Sequence, residues 1–425
     1  MGKTRFTVAV VGGGPAGLAT ALGLGKAGAD VLLAAPPHRP PAGNGPDIRT
    51  AALFAGSIEL LKNLGAWDLV APHSAPIRAI RIIDDTGALL RAPEVLFSAA
   101  EVGRDAFGWN VPNGALVSAL LAAAAAPGSQ VTVQDTAGIA EVAIGPEAAT
   151  LTSREGATFE ARLVAGADGR NSICRRAAGI PTRTWRYAQA AVVAMFSHAR
   201  PHHDVSTEFH RPAGPFTTVP LPSLRSSLVW VEQPDEAQRL AALDDTAFRR
   251  AIEERLQGLL GSVGEVGARA MFPLSGLTAD AFGRNRVALV GEAGHVIPPI
   301  GAQGLNLGLR DAATLADCVA AALADGRDPG GADTLEAYSA GRRSDVTSRI
   351  ATVDVLNRSL ISGLLPIHLA RGLGVVALKT IGPLRRFAIR EGMQPSGALP
   401  ALLLPDGARL IAERFRHPAS RDSAA

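Results

Sequence analysis

Three glycine-bearing junctions hold the residues of this sequence best placed for chemistry. The first is Gly12-x-Gly14-x-x-Gly17, with Ala16 just before the last glycine. The spacing suits a phosphate cradle. The first glycine turns the chain from strand to helix, the second lets backbone approach a pyrophosphate, and the third lets helix and strand pack closely. The phosphate then rests on a helix N-terminus, where free N–H groups and the helix dipole favour negative charge. The second junction is Gly166-Ala167-Asp168-Gly169-Arg170-Asn171-Ser172. The third is Gly291-Glu292-Ala293-Gly294-His295, which runs on through Pro298, Pro299, Gly301, Gln303, Gly304, Leu305 and Asn306 to Asp311. A carboxylate just past a parallel strand lies where doubly wound folds bind ligands.

Each junction needs a strand before it and a helix near it, and the sequence supplies both. Phe6 to Val11 is an apolar run expected to be a buried parallel strand; Leu18 to Ala27 follows as helix, closed by Gly28. Val31 to Ala35 completes a βαβ unit. Its end usually carries Asp or Glu for the ribose hydroxyls, and here that place holds Ala35, followed by two prolines. Leu163 to Ala165 and Val287 to Val290 are the strands ahead of the second and third junctions. Gly304 to Ala324 is a long helix, and Ala332 to Asn357 reads as largely helical.

Ala51 to Leu64 is expected to be helical, as is Asn113 to Ala126. Ile77 to Asp84 and Ala88 to Arg91 flank Asp85-Thr86-Gly87 as a hairpin. From Ala188 to Glu232 the pattern shifts to alternation broken by prolines, expected as antiparallel sheet. Thr246 to Leu260 is an amphipathic helix. The tail from Ser396 onward is expected to end in mobile residues.

At 425 residues with 47% hydrophobic content, the chain has material for two packed domains plus an appendage. A net charge of +3 gives no global signal for nucleic acid. The two cysteines, Cys174 and Cys318, form no CxxC pair and no zinc-spaced cluster, so they read as packing residues and no metal site is expected. The N-terminus has no signal-peptide pattern, and a cytoplasmic protein is expected.

Taken together the junctions resemble the group A FAD-dependent aromatic hydroxylases, the class of 4-hydroxybenzoate hydroxylase. Within that class, GEAGHVIPPIGAQGLNLGLRD (Gly291 to Asp311), DIRTAALFAGSIELLKNLGAW (Asp47 to Trp67) and FGWNVPNGALVSAL (Phe107 to Leu120) resemble the ubiquinone-biosynthesis hydroxylase family. The resemblance extends to about Pro395. It implies an α/β fold: an FAD-binding Rossmann-like domain of the glutathione-reductase type, an interposed mixed or antiparallel sheet for substrate, and C-terminal helices. The implied division is residues 1–75, 100–180 and 275–350 for FAD, 76–99 and 181–274 for substrate, and 351–425 for a helical region and tail.

The resemblance also implies roles. Gly12, Gly14, Ala16 and Gly17 would cradle FAD, Arg49 would reach its phosphates or the flavin edge, and Asn113 and Glu292 would meet the ribityl chain. Glu292 stands where the family usually has Asp. Asp168 and Gly291 would belong to the cofactor motifs, and Gly304, Leu305 and Asn306 would place backbone N–H groups on the flavin. Backbone around Pro299, Gly301 and Gln303 would serve the reacting flavin C4a. The implied reaction uses NAD(P)H or an external reductant and O2, and hydroxylates a polyprenylated phenol or quinol through a flavin C4a-hydroperoxide. No second Gly-x-Gly-x-x-Gly stands between an apolar strand and a helix, which leaves NAD(P)H without a Rossmann domain of its own.

Plainer alternatives accompany several of these residues. Asp168 could cap a helix, Arg49 could form a surface ion pair, and His295 reads as a structural histidine. Trp109 is equally a pocket wall or a core residue. Residues 355–390 contain no Asp or Glu but carry Arg358, Arg371, Lys379, Arg385, Arg386 and Arg390 among apolar runs. Such a segment suits the anionic inner face of the cytoplasmic membrane or a partner in a biosynthetic complex. A hydroxylase of a soluble aromatic and a non-catalytic flavin-bearing subunit remain the rival functions.

Overall fold

The structure, a computed structural model, describes residues 4–38, 48–87, 93–361, 374, 377, 379–393 and 398–414. The chain begins with β1 (Arg5–Val11), α1 (Pro15–Lys26) and β2 (Val31–Ala35), the βαβ unit read from the sequence. There follow β3 (Thr50–Phe54), α2 (Ala55–Asn63), α3 (Trp67–Val70), β4 (Ala75–Ile77), β5 (Ala79–Asp84), β6 (Val95–Ser98), β7 (Gly108–Pro112) and α4 (Asn113–Ala124). The expected helix from Ala51 therefore starts four residues late, because Thr50–Phe54 pairs with β7. The hairpin partner of β5 is β6, and Ala88 to Arg91 lie outside the described residues.

Next come β8 (Val131–Asp135), β9 (Ile139–Ile144), β10 (Ala149–Ser153), β11 (Thr158–Gly166) and α5 (Ile173–Ala177). The alternating region gives β12 (Thr182–His198), β13 (Val205–Arg211), β14 (Gly214–Leu221) and β15 (Arg225–Glu232). Two helices, α6 (Pro234–Ala242) and α7 (Asp245–Leu256), precede β16 (Val263–Ala279), β17 (Gly283–Arg284), β18 (Val287–Leu289) and β19 (His295–Val296). The chain then runs through α8 (Gln303–Ala324), α9 (Ala332–Ile361), α10 (Gly382–Met393) and α11 (Gly407–Arg414).

Among the described residues the first sheet runs β17-β18-β11-β1-β2-β8, with β10 and β9 extending from β11. Its central pairs are parallel, and successive residues of β1 enter opposite cores. Val8 and Val10 pack with α1, α4 and α8, while Ala9 and Val11 pack with Leu151, Val164 and Cys174. Burial on both faces is why these strands read as continuous apolar runs. The second sheet, β19-β16-β12-β15-β14-β13-β5-β6, is antiparallel except where β13 pairs β5 in parallel. It buries Phe196, Phe209, Phe216 and Trp230 against Phe248 of α7. A small antiparallel sheet, β3-β7-β4, lies between.

The C-terminal segment is more tightly held than its composition suggests. Ala401, Leu402 and Leu403 are buried in the core that contains α1 and α8, and Asn63 of α2 donates to the carbonyls of Leu402 and Leu404, both at 2.9 Å. Residues 415–425 lie outside the described residues.

Candidate active site

The three junctions emerge side by side from one edge of the first sheet. Val11 is in register with Gly166, and Gly166 with Leu289, so the turns after β1, β11 and β18 share one end. Ala167 N donates to Val11 O at 2.9 Å and Val290 N to Gly166 O at 2.9 Å, which ties each turn to the next strand. Gly12 has φ +119°, and a Cβ there would lie 2.2 Å from the Ala167 carbonyl oxygen. A Cβ on Gly17 would meet the Gly12 carbonyl oxygen at 2.0 Å. Gly14, by contrast, has open space where its Cβ would be. It caps α1 without a side-chain hydrogen bond, with Pro15 at the first helical position. Two glycines are thus demanded by packing, and the middle one leaves the helix N-terminus open to an anion.

The third junction closes on the first through small residues. A Cβ on Gly308 of α8 would lie 3.2 Å from the Ala16 Cβ and 3.3 Å from the Gly291 Cα. Ala16, Gly291 and Gly308 are therefore a three-way contact between α1, the Gly291 turn and α8. Gly291 has φ +60° and Glu292 beside it is exposed.

Two carboxylate or amide oxygens at this edge are buried without a partner, Asp168 Oδ1 and Asn113 Oδ1. The other oxygen of Asp168 accepts from Ile173 N at 2.7 Å and Cys174 N at 3.2 Å, capping α5. Asp168 thus caps a helix, and its Oδ1 has no hydrogen-bond donor among the described residues. Buried polar atoms of this kind need a donor, and ribityl or ribose hydroxyls would supply one. With the open Gly14 cradle, these orphans fit an FAD molecule. Asn113 N donates to Arg49 O at 3.0 Å, so the structure brings these two predicted residues together. The Arg49 side chain is exposed.

The segment from Pro299 to Asn306 offers backbone rather than reactive side chains. Gly301 (φ +67°) and Ala302 (φ +54°) are both left-handed, and α8 starts at Gln303 with no side-chain cap. Pro299 and Gly301 are exposed, while Gln303 is buried. The open first turn leaves N–H groups of Gly304 and Leu305 without helical partners. The Asn306 side chain is wholly occupied. Its Oδ1 accepts from Phe54 N at 2.9 Å and Ser57 Oγ at 2.7 Å, and its Nδ2 donates to Ala52 O at 2.8 Å and Ala302 O at 2.7 Å. Asn306 is a staple between α8 and the β3–α2 corner, leaving only its backbone for a cofactor. Gln303 Nε2 donates to Gly301 O at 3.1 Å and Gly392 O at 3.4 Å, joining this turn to α10.

Several residues that hold the site had no role read for them from the sequence. Asp311 is fully buried. Its Oδ2 accepts from Gly291 N at 2.8 Å and meets His295 Nε2 at 2.7 Å, and its Oδ1 accepts from Arg342 Nε at 2.5 Å. Burial alone would raise this carboxyl, but His295 and Arg342 outweigh burial and hold it at about 2. Arg342 also pairs with Asp345, at 2.9 Å. Arg175 donates to Ala293 O at 2.7 Å and Arg170 O at 2.8 Å, clamping the second junction to the third. His295 is structural, as its sequence context suggested. Trp109 packs edge-on against Trp67, centroids 5.3 Å apart, beside the α1 core. Cys174 is fully buried and Cys318 partly so.

Comparison with known proteins agrees with this geometry. Residues 5–352 match the family described as FAD binding domain. Ubiquinone hydroxylase UbiL of Rhodospirillum rubrum is 37% identical over 396 residues, spanning 91% of this chain and 89% of its own. The 3-demethoxyubiquinol 3-hydroxylase of Escherichia coli K12 is 32% identical over 389 residues, spanning 91% and 98%. The crystal structure of p-nitrophenol 4-monooxygenase PnpA from Pseudomonas putida DLL-E4 shares the fold, with TM-score 0.75 at 21% identity over 93% of this chain and all of that one. The chain belongs to the FAD-binding-domain family of FAD-dependent monooxygenases. Within that class it stands with the hydroxylases of ubiquinone biosynthesis.

Proposed function

We propose that the protein hydroxylates the ring of a polyprenylated phenol or quinol in ubiquinone biosynthesis, using FAD, O2 and NAD(P)H. The observation that carries this reading is the convergence of three open junctions on one sheet edge, beside the uncapped first turn of α8. When bound, FAD would relay the electrons of NAD(P)H to O2, chemistry that protein side chains lack. Gly12, Gly14, Ala16 and Gly17 hold the pyrophosphate against the α1 N-terminus, with Arg49 at the rim. Asn113, Asp168 and Glu292 meet the hydroxyl-bearing chain. The Gly304 and Leu305 N–H groups face the isoalloxazine edge, where fixed donors stabilise negative charge. The backbone from Pro299 to Gln303 shapes the place where the substrate ring would be oxidised. The first sheet is assigned to the cofactor and the second to substrate.

Attachment to an anionic membrane surface belongs to the same reading, since a prenyl tail keeps its owner in the bilayer. Support comes from α10. Arg385 holds it to the body by two bonds to Glu101, at 2.5 and 2.7 Å, and lies 4.7 Å over the Phe97 ring. The helix exposes Leu384 and Phe387, the last by 61%, with exposed Arg386 and Arg390, and exposed Lys379 and Ile381 directly precede it. Among the described residues no helix is long and apolar enough to cross a membrane.

The test is mass analysis of the quinone precursor that accumulates in a deletion strain, followed by turnover of that precursor by the purified flavoprotein under 18O2. One labelled oxygen in the product is expected. An unaltered ubiquinone pool in the deletion strain overturns the reading.

A further inference from the structure

The end of β2 lacks the acid that usually binds the adenosine ribose, and the neighbouring strand offers one. Ala35 closes β2 and is 6% exposed, with its Cβ turned toward the glycine loop: a Cβ built on Gly13 would lie 2.8 Å from it. The parallel partner of Ala35 in β8 is Asp135, and Thr136 N donates to Ala35 O at 3.0 Å. Register partners in parallel strands project from the same face, about 4.8 Å apart. Asp135 therefore stands on the same face and at the same C-terminal end, one strand away. Its side chain is exposed, and among the described residues its carboxylate has no hydrogen bond or ion pair. The other carboxylate near this strand end, Glu155, is already bound to Ala137 N.

We propose that Asp135 is the ribose-binding carboxylate of this chain, having taken over at the end of β8 the contact that β2 gives up at Ala35. A carboxylate and one hydrogen bond reach farther than a single strand spacing. The ligand is the vicinal diol of the adenosine ribose, a pair of donors that an ionised carboxylate accepts together. This inference rests on the FAD reading above and adds a specific recognition element to it.

The experiment is titration of the apoprotein with FAD, read by flavin fluorescence, for the wild type, Asp135→Asn, and Asp135→Asn combined with Ala35→Glu. A parallel titration uses FAD whose adenosine lacks the 2′-hydroxyl. Asp135→Asn is expected to weaken FAD by about ten-fold or more, as loss of a charge-assisted bond implies. The deoxy analogue should bind wild type and Asp135→Asn within a factor of about two of each other. Ala35→Glu should restore much of the lost affinity by returning the acid to β2. Thermal melting of each apoprotein checks that folding is intact, as expected for an exposed edge-strand site. FAD binding by Asp135→Asn equal to wild type overturns the assignment and leaves the FAD reading standing. Failure of the folded wild type to bind FAD overturns both.

Discussion

The Asp311 carboxylate holds the backbone of Gly291, twenty residues before it in the chain, through a 2.8 Å hydrogen bond at the point where α8 passes beneath the third junction. The same oxygen faces His295, and the other is bound by Arg342 of α9. One buried charge thus fixes where the Glu292 turn can stand.

That arrangement makes stability depend on acid in a definite direction. Asp311 sits at about 2, below its ordinary 3.8. Its stabilisation is full above the unfolded-state value and is lost as pH falls from about 4 through 2. Urea unfolding between pH 6 and 2 should show that loss, on the order of 2 kcal/mol, and Asp311→Asn should flatten it. An unchanged acid limb in the variant would remove Asp311 from the explanation.

The glycines of the first junction should separate folding from binding. Gly17→Ala puts a methyl group against the Gly12 carbonyl and should destabilise the apoprotein by several kcal/mol. Gly14→Ala meets nothing within 4 Å, so the apoprotein should melt near wild type while FAD affinity falls at least ten-fold. Paired melting curves and flavin titrations test this; equal melting of the two variants would contradict it.

Asn306 should matter to the fold before it matters to the cofactor. Replacing it with Ala removes four hydrogen bonds and strands the N–H of Phe54, a cost of about 2–4 kcal/mol. Asn306→Asp should be worse, because a carboxylate would face the Ala52 and Ala302 carbonyls. Denaturant midpoints of the apoproteins give the comparison, and wild-type stability in Asn306→Ala would refute the staple.

The exposed side of α10 gives a separable test of attachment. Phe387→Ser with Leu384→Ser should reduce sedimentation with anionic phospholipid vesicles, and added salt should weaken the wild type as well. Turnover of a short-chain, water-soluble substrate analogue should be little changed. Vesicle binding indifferent to both the substitutions and salt would count against the surface.

Much of the site was legible in the sequence because its parts are local. A glycine loop after an apolar strand carries its own geometry within a dozen residues, so β1, α1, β2 and the turn after β11 stood near where the sequence placed them. Ala51 to Phe54 misled because helical propensity could not show that β7, more than fifty residues on, would pair with them. Arg342 and Arg175 were invisible as site residues for a related reason, and Asp311 ended the third motif without a role being read for it. Each is an ordinary charged residue on a helix, and only tertiary packing sets it against a distant carbonyl or amide. Asn306 was read from the motif as a backbone contact for the flavin, but its side-chain partners in β3 and α2 had no trace in the motif itself.

The strand order has a consequence for how the protein comes into being on the ribosome. β1 and β2 can pair as soon as they emerge, but the Val164–Gly166 segment of β11 waits for β18, which follows every strand of the second sheet except β19. The Gly291 turn, in turn, is not locked until Asp311 and Arg342 have been synthesised. A complete cradle for the cofactor therefore exists only after about four-fifths of the chain has been made. Flavin loading would then follow the synthesis of α9 rather than accompany that of the N-terminal βαβ unit.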